Sequence, residues 1–238
     1  MLAVFAKAIG KPPEELRLPA MGSNNSRPQK KLYRNFNLCG RILRFTTFHM
    51  GILWHCPMKM KVQYTPANIA ELRHHYGLAR QATEAMIVIE AYKALRDRAP
   101  YPPDQVVKHL DGKFAFIIFD AKTYTLFKAR DREGSVKFQW GMARDGSLVC
   151  SDDPTIIREG CGQACAVFPP GCIFMNNGSA LTSFDHPLHK VRGVVHEDDS
   201  GNILSVYFQV DLYTKNPSIT RTGSAANWAD AAAEVKGE

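Results

Sequence analysis

The run Phe114-Ala115-Phe116-Ile117-Ile118-Phe119 constrains the fold more than any other feature of the sequence. Consecutive apolar residues with no period-two alternation make a strand that must be covered on both faces. Asp111-Gly112 before the run and Ala121-Lys122 after it hold it to strand length. A helix expected from about Thr83 to Arg98 supplies one of the two covers. Ala85, Val88, Tyr92 and Leu95 form an apolar stripe at helical spacing, and Ile87 and Ile89 widen it over much of the girth, so this helix packs on a sheet.

Around these two elements the chain reads as follows. Residues 1–9 are expected as a strand ended by Lys11-Pro12-Pro13. Residues 19–31 have loop composition, and residues 32–64 sustain neither period. Asn68 to Tyr76 reads as a short helix stopped by Gly77. Arg96-Asp97-Arg98 closes the longer helix with positive charge, and Pro100, Pro102 and Pro103 end it. Asp104 caps a helix over residues 105–110. Strands follow at 124–130, 136–140 and 147–151, with Arg144-Asp145-Gly146 as a hairpin signal. Asp153-Pro154 starts a helix that Gly160 closes. Further strands are expected at 172–175, 181–184 and 204–211, with a turn at Asn177-Gly178. Strands with helices between hairpins indicate an α+β layered domain.

A chain of 238 residues, 45% hydrophobic, sustains one sizeable core. No apolar run approaches the roughly 20 residues that span a bilayer. Met1 to Gly10 lacks the basic start and small-residue cleavage site of a signal peptide. The expectation is a cytoplasmic protein, with the nucleus also open to it. The net charge of +7 is concentrated in residues 27–61, with Arg27, Lys30, Lys31, Arg34, Arg41, Arg44, Lys59 and Lys61. No nucleic-acid motif surrounds that segment, so it reads as a solvated basic loop without a specific nucleic-acid partner. Six cysteines form no CxxC pair, and His49, His55, His74 and His75 with Cys56 lack ligand spacing. Neither a metal nor a cofactor is expected.

Leu110-Asp111-Gly112-Lys113 through Asp120, then Ala129-Arg130-Asp131-Arg132-Glu133-Gly134, Phe138-Gln139-Trp140-Gly141, Leu148 to Asp153 and Phe168-Pro169-Pro170-Gly171 follow one another in order. The series resembles the glutaminase half of asparagine synthetase, a class II glutamine amidotransferase. His75-Tyr76-Gly77-Leu78 and Leu95-Arg96-Asp97-Arg98 resemble the two hallmark motifs of the plant aluminium-induced, stem-specific family. Met1 to Phe5, Ala99 to Pro102 and Gly223 to Trp228 are similar to that family too. The resemblance implies one domain over residues 1–238 with the four-layer αββα fold of N-terminal-nucleophile hydrolases. Residues 22–64 depart from the pattern, within an atypical basic segment at 19–64. A first sheet that is incomplete and an aberrant gene model are both readings of that departure. Residues 215–238 are expected as a surface tail.

In the resembled enzymes the first residue of the processed chain attacks the amide carbon with its side-chain thiol, and its own free α-amine can take the proton. Met1 and Leu2 occupy those positions here, and neither is a nucleophile. The Asn-Gly pair that donates to the oxyanion corresponds to Gln63 and Tyr64, and Tyr64 does not replace glycine cheaply. The carboxylate that grips the substrate ammonium corresponds to Ala82. Glu84 matches a Glu of the family and also suits the first turn of a helix. The resemblance therefore implies a vestigial pocket of Met1, Leu2, Gln63, Tyr64, Ala82 and Glu84, with no catalytic residue. The leading expectation is a non-catalytic, stress- or hormone-responsive scaffold that binds a protein or a small amide-like ligand, with a homodimer open. An enzyme with another nucleophile, such as Cys150 or Cys172, is the alternative.

Overall fold

The computed structural model describes residues 2–18, 43–44, 58–97, 103–176, 181–199, 201 and 203–215, with the backbone alone for 43–44, 58–66 and 214–215. The expected loop at 19–31, the Asn177-Gly178 turn and the tail beyond Lys215 lie outside these residues. Twelve strands form two sheets among the described residues. The first runs β2 (Leu43–Arg44), β1 (Leu2–Phe5), β7 (Leu148–Ser151), β6 (Gln139–Met142) and β8 (Cys165–Val167). The second runs β12 (Ile203–Lys215), β11 (His189–Glu197), β10 (Leu181–Ser183), β9 (Cys172–Met175), β5 (Thr125–Arg130), β4 (Gly112–Asp120) and β3 (Met58–Pro66). All pairings are antiparallel except β1 with the two-residue β2.

The apolar clusters order the layers. Ala115, Ile117 and Phe119 of β4 face Phe5, Trp140 and Cys150 of the five-stranded sheet. Phe114, Phe116 and Ile118, on the opposite face of β4, pack under helices α2 (Ile69–His75), α3 (Glu84–Asp97) and α4 (Pro103–Lys108). Leu2 and Val149, on the outer face of the five-stranded sheet, pack against Ile157 and Cys161 of α5 (Pro154–Cys161). The molecule is therefore helix, sheet, sheet, helix: an α+β, four-layer αββα domain. The apolar run of β4 is covered on both faces, as its lack of alternation requires.

Local differences from the sequence reading have physical causes. Residues 1–9 are not one strand, because Lys7–Gly10 form helix α1. A strand would place Lys7 on the same buried face as Phe5, whereas the helical turn leaves it exposed and still brings Ile9 to the core. The strand expected at 136–140 begins only at Gln139, because the Val136 carbonyl accepts a hydrogen bond from Arg130 Nε at 2.8 Å. β8 and β11 had no sequence signal. In β11, Gly193 interrupts the β-branched pattern because a Cβ there would lie 2.7 Å from Cβ of Glu15.

Candidate functional site

The first strand sets the position where the glutaminase nucleophile is expected. Leu2 pairs with Ser151, and its side chain is buried with Ala143, Val149, Ile157 and Cys161 beneath α5. It therefore points away from the seven-stranded sheet. Met1 lies outside the described residues. Gln63 and Tyr64 stand opposite Ala115 and Phe114 in an unbroken ladder between β3 and β4. Ala82 is buried, and its carbonyl accepts both Nε and Nη2 of Arg73, at 3.0 and 2.6 Å. Glu84 is the first residue of α3, in the first turn that suits a carboxylate. Ala82 and Glu84 thus sit at the start of the helix that packs on β3. Leu2 belongs to the other sheet and faces its far side, beneath α5.

Both hallmark motifs resolve into scaffold geometry. Gly77 has φ +63°, donates to the His74 carbonyl, and is followed by Leu78 donating to Arg73 O at 2.7 Å. Those two bonds are a Schellman cap on α2, which glycine in the left-handed region makes cheaply. Tyr76 and Leu78 then pack against the helix layer. In the second motif, Leu95 is buried and Arg96 forks Asp97, with Nε to Oδ1 at 2.7 Å and Nη2 to Oδ2 at 3.1 Å. Its Nη1 reaches Oδ2 of the buried Asp120 at 3.4 Å, and Tyr92 donates to the same oxygen at 3.2 Å. Burial raises the Asp120 pKa, but the Lys122 N–H, Arg96 and Tyr92 outweigh it and hold the carboxyl below its ordinary value. Arg96 therefore ties the end of α3 to the end of β4. Arg98 lies outside the described residues.

Two cations between the sheets were not found from sequence. Arg130, the last residue of the strand expected over 124–130, is buried and donates to three carbonyls: Val136 at 2.8 Å, Gly134 at 2.6 Å and Phe168 at 2.6 Å. Burial lowers its pKa. It joins the end of β5 to the segment after β8, and so joins the two sheets. Gly134, at φ +64°, leaves the space, since a Cβ there would stand 3.1 Å from the guanidinium. The Ala129 to Gly134 and Phe168 to Gly171 segments, which carry the glutaminase resemblance, are the two sides of this clamp. Lys128 is fully buried between the sheets, with Nζ 4.4 Å from the Trp140 ring centroid and 4.2 Å from that of Phe174. The signal that could have found both is position. Lys128 and Arg130 alternate with Leu126 on the inner face of a strand covered on both sides.

The thiols named as alternative nucleophiles both lie inside the protein. Cys150 and Cys172 are buried, which pushes both pKa values up, that of Cys172 to about 12. Asp153 accepts the Thr155 N–H at 2.8 Å and caps α5, as its place before Pro154 suggested. Among the described residues no group of three or more His, Cys, Asp or Glu could hold a metal ion. Among the same residues no helix is long and apolar enough to cross a membrane.

The family model described as aluminium-induced protein matches residues 62–210. The stem-specific protein TSJT1 of Nicotiana tabacum is 46% identical, in a match covering 55% of this chain and 100% of that protein. A probable glutamine-hydrolysing asparagine synthetase of Dictyostelium discoideum is 32% identical over 84 residues, 35% of this chain but 15% of the synthetase. Among solved structures, glutamine phosphoribosylpyrophosphate amidotransferase from B. subtilis overlays with a TM-score of 0.42 at 14% identity, covering 53% of this chain and 29% of that one. With the family model spanning well over half of its length, the chain belongs to the aluminium-induced protein family.

Proposed function

We propose that this protein is a glutaminase-type scaffold without glutaminase chemistry, acting in the cytoplasm by binding a protein or a small amide-like ligand in a stress- or hormone-linked response. The observation that carries the reading is the burial of Leu2 beneath α5. An attacking group must reach the amide carbon at about 3 Å, and this side chain is committed to the opposite side of its sheet. Two further features support it. The substrate-ammonium position is Ala82, whose backbone carbonyl is already held by Arg73. The oxyanion position holds Gln63 and Tyr64 within a regular ladder. Loss of one oxyanion donor costs about 10²–10³ in rate, so these deficits compound.

The alternative, an enzyme with Cys150 or Cys172 as nucleophile, is disfavoured by the burial and raised pKa of both thiols. The test is ammonia release under saturating glutamine, for the wild type and for Leu2→Cys with Met1 removed. Neither is expected to exceed background. Turnover by the wild type overturns the proposal. Turnover by the Cys variant alone shows an intact pocket that lacks just its nucleophile.

A further inference from the structure

We propose that the free edge of β12 is a homodimer interface, at which two copies of this chain join their seven-stranded sheets antiparallel about Phe208. The seven-stranded sheet ends at β12, which among the described residues has a strand on one side only. Of the eight large hydrophobic side chains exposed among those residues, Leu204, Tyr207, Leu212 and Tyr213 lie on β12. A fifth, Val167, lies on β8, the end strand of the other sheet, which packs beside β12. Such side chains scattered singly need no explanation, but their concentration on one edge does.

Soluble proteins ordinarily protect a long edge strand with Lys, Pro, a bulge or extreme shortness. β12 has none of these along its middle. Residues 203–213 contain no Lys, Arg, Pro or Gly. The register with β11 is regular from Val191–Val210 to His196–Ser205, and it shifts only near the two ends of the hairpin. The one charge in the stretch, Asp211, is matched within its own copy by Arg192 at 3.0 Å. The edge is therefore neutral on a protein whose net charge is +7.

The strand is also complementary to itself. With the two-fold axis on Phe208, Val206 falls opposite Val210 within the regular stretch, and by residue count Leu204 meets Leu212 and Ile203 meets Tyr213 at its margins, where the register with β11 shifts. Asp211 then faces Ser205, so no like charges meet. Moving the axis to Tyr207 or Gln209 sets Asp211 against Ile203 or Tyr207, which leaves a carboxylate beside an apolar group. Leu212 also lines a surface hollow of about 430 Å³ together with Arg192, Val194 and Tyr213. Main-chain bonds supply affinity and the alternating side chains supply register, as in strand addition generally.

The test uses the full chain. Sedimentation across the micromolar range is expected to show a dimer. Leu212→Lys, which adds the missing edge charge, is expected to give a monomer that melts where the wild type does once diluted below its dimerisation range. The register is read from Leu204→Cys/Leu212→Cys, which is expected to form an interchain disulfide under oxidation that neither single variant nor the parent forms. A wild type that stays monomeric overturns the proposal, as does a dimer that survives Leu212→Lys. A monomeric wild type that Leu212→Lys destabilises also overturns it, because the edge is then covered by the chain's own residues.

Discussion

Lys128 Nζ lies 3.9 Å from Cys150 Sγ, a contact that crosses from the seven-stranded sheet to the five-stranded one. Buried lysines normally pair with a carboxylate. Here a thiol and the faces of Trp140, Phe174 and, at 5.7 Å, Phe168 take its place. Ring faces attract an ammonium, though by less than hydration does.

Burial lowers the Lys128 pKa from 10.5 to about 8. Between those values the unfolded chain binds more protons than the folded one, so stability rises with pH across that window. Below about pH 8 the full penalty is present, on the order of 3 kcal/mol at 1.36 kcal/mol for each pH unit. Lys128→Met, which keeps the stem and removes the charge, is expected to raise the urea midpoint near pH 7. The gain should shrink as the pH approaches 10.5. A variant less stable than wild type near pH 7 would show that the rings and Cys150 outweigh desolvation.

Gly77 and Gly141 make opposite demands on their side-chain space. A Cβ on Gly77 meets nothing within 4 Å, so Gly77→Ala pays solely for φ +63°, about 1 kcal/mol. Gly141 has no positive φ, but a Cβ there would lie 2.8 Å from Cys161 Sγ and 2.9 Å from the Ala164 carbonyl. Overpacking against backbone costs about 1–3 kcal/mol, so Gly141→Ala is expected to lower the melting temperature more. Equal effects would contradict the packing of α5 on β6.

What the sequence discloses here depends on how local the cause is. The cover on both faces of β4 is legible because the apolar run itself lacks alternation. The end of α2 is legible because glycine at a helix stop has one cheap conformation. Arg130 reads as a strand-end charge because its three carbonyl partners, at 134, 136 and 168, come together only when the two sheets pack. Leu2 could be placed on the first strand, but the face it occupies depends on α5, some 150 residues later. Lys128 is hidden for the same reason, since Trp140, Cys150 and Phe174 all lie downstream.

Arg130→Lys is expected to be far from conservative. A planar fork serves three carbonyls at once, and an ammonium on a flexible stem does not reproduce that geometry. Leaving buried acceptors unpaired costs about 1–3 kcal/mol each. Loss of two of the three is expected to move the chemical denaturation midpoint sharply. Faster hydrogen exchange at Phe168, which donates to the Phe138 carbonyl at 2.9 Å, should accompany it. A Lys variant with wild-type stability would show that the two sheets do not need this clamp.

Ile117 and Ile118 are neighbours on β4 with the same burial and different faces. Ile118 looks into the helix layer, where Arg96 is already engaged by Asp97 and Asp120, so Ile118→Asp buries a further carboxylate without a cation of its own. Ile117 looks between the sheets and is paired directly with Lys128 in the β4–β5 register. An aspartate there arrives beside a buried ammonium that lacks a carboxylate. Desolvation still costs several kcal/mol for each ion, but mutual attraction repays part of it. Ile117→Asp is therefore expected to be destabilised yet to remain soluble, whereas Ile118→Asp is expected to fail to accumulate as folded protein. The decisive measurement is a double-mutant cycle with Lys128→Met. Removing the ammonium should stabilise the parent but further destabilise Ile117→Asp, a reversal of sign that additive effects cannot produce. If Lys128→Met has the same effect in both backgrounds, the two side chains do not meet, and the pairing of β4 with β5 across that row is wrong.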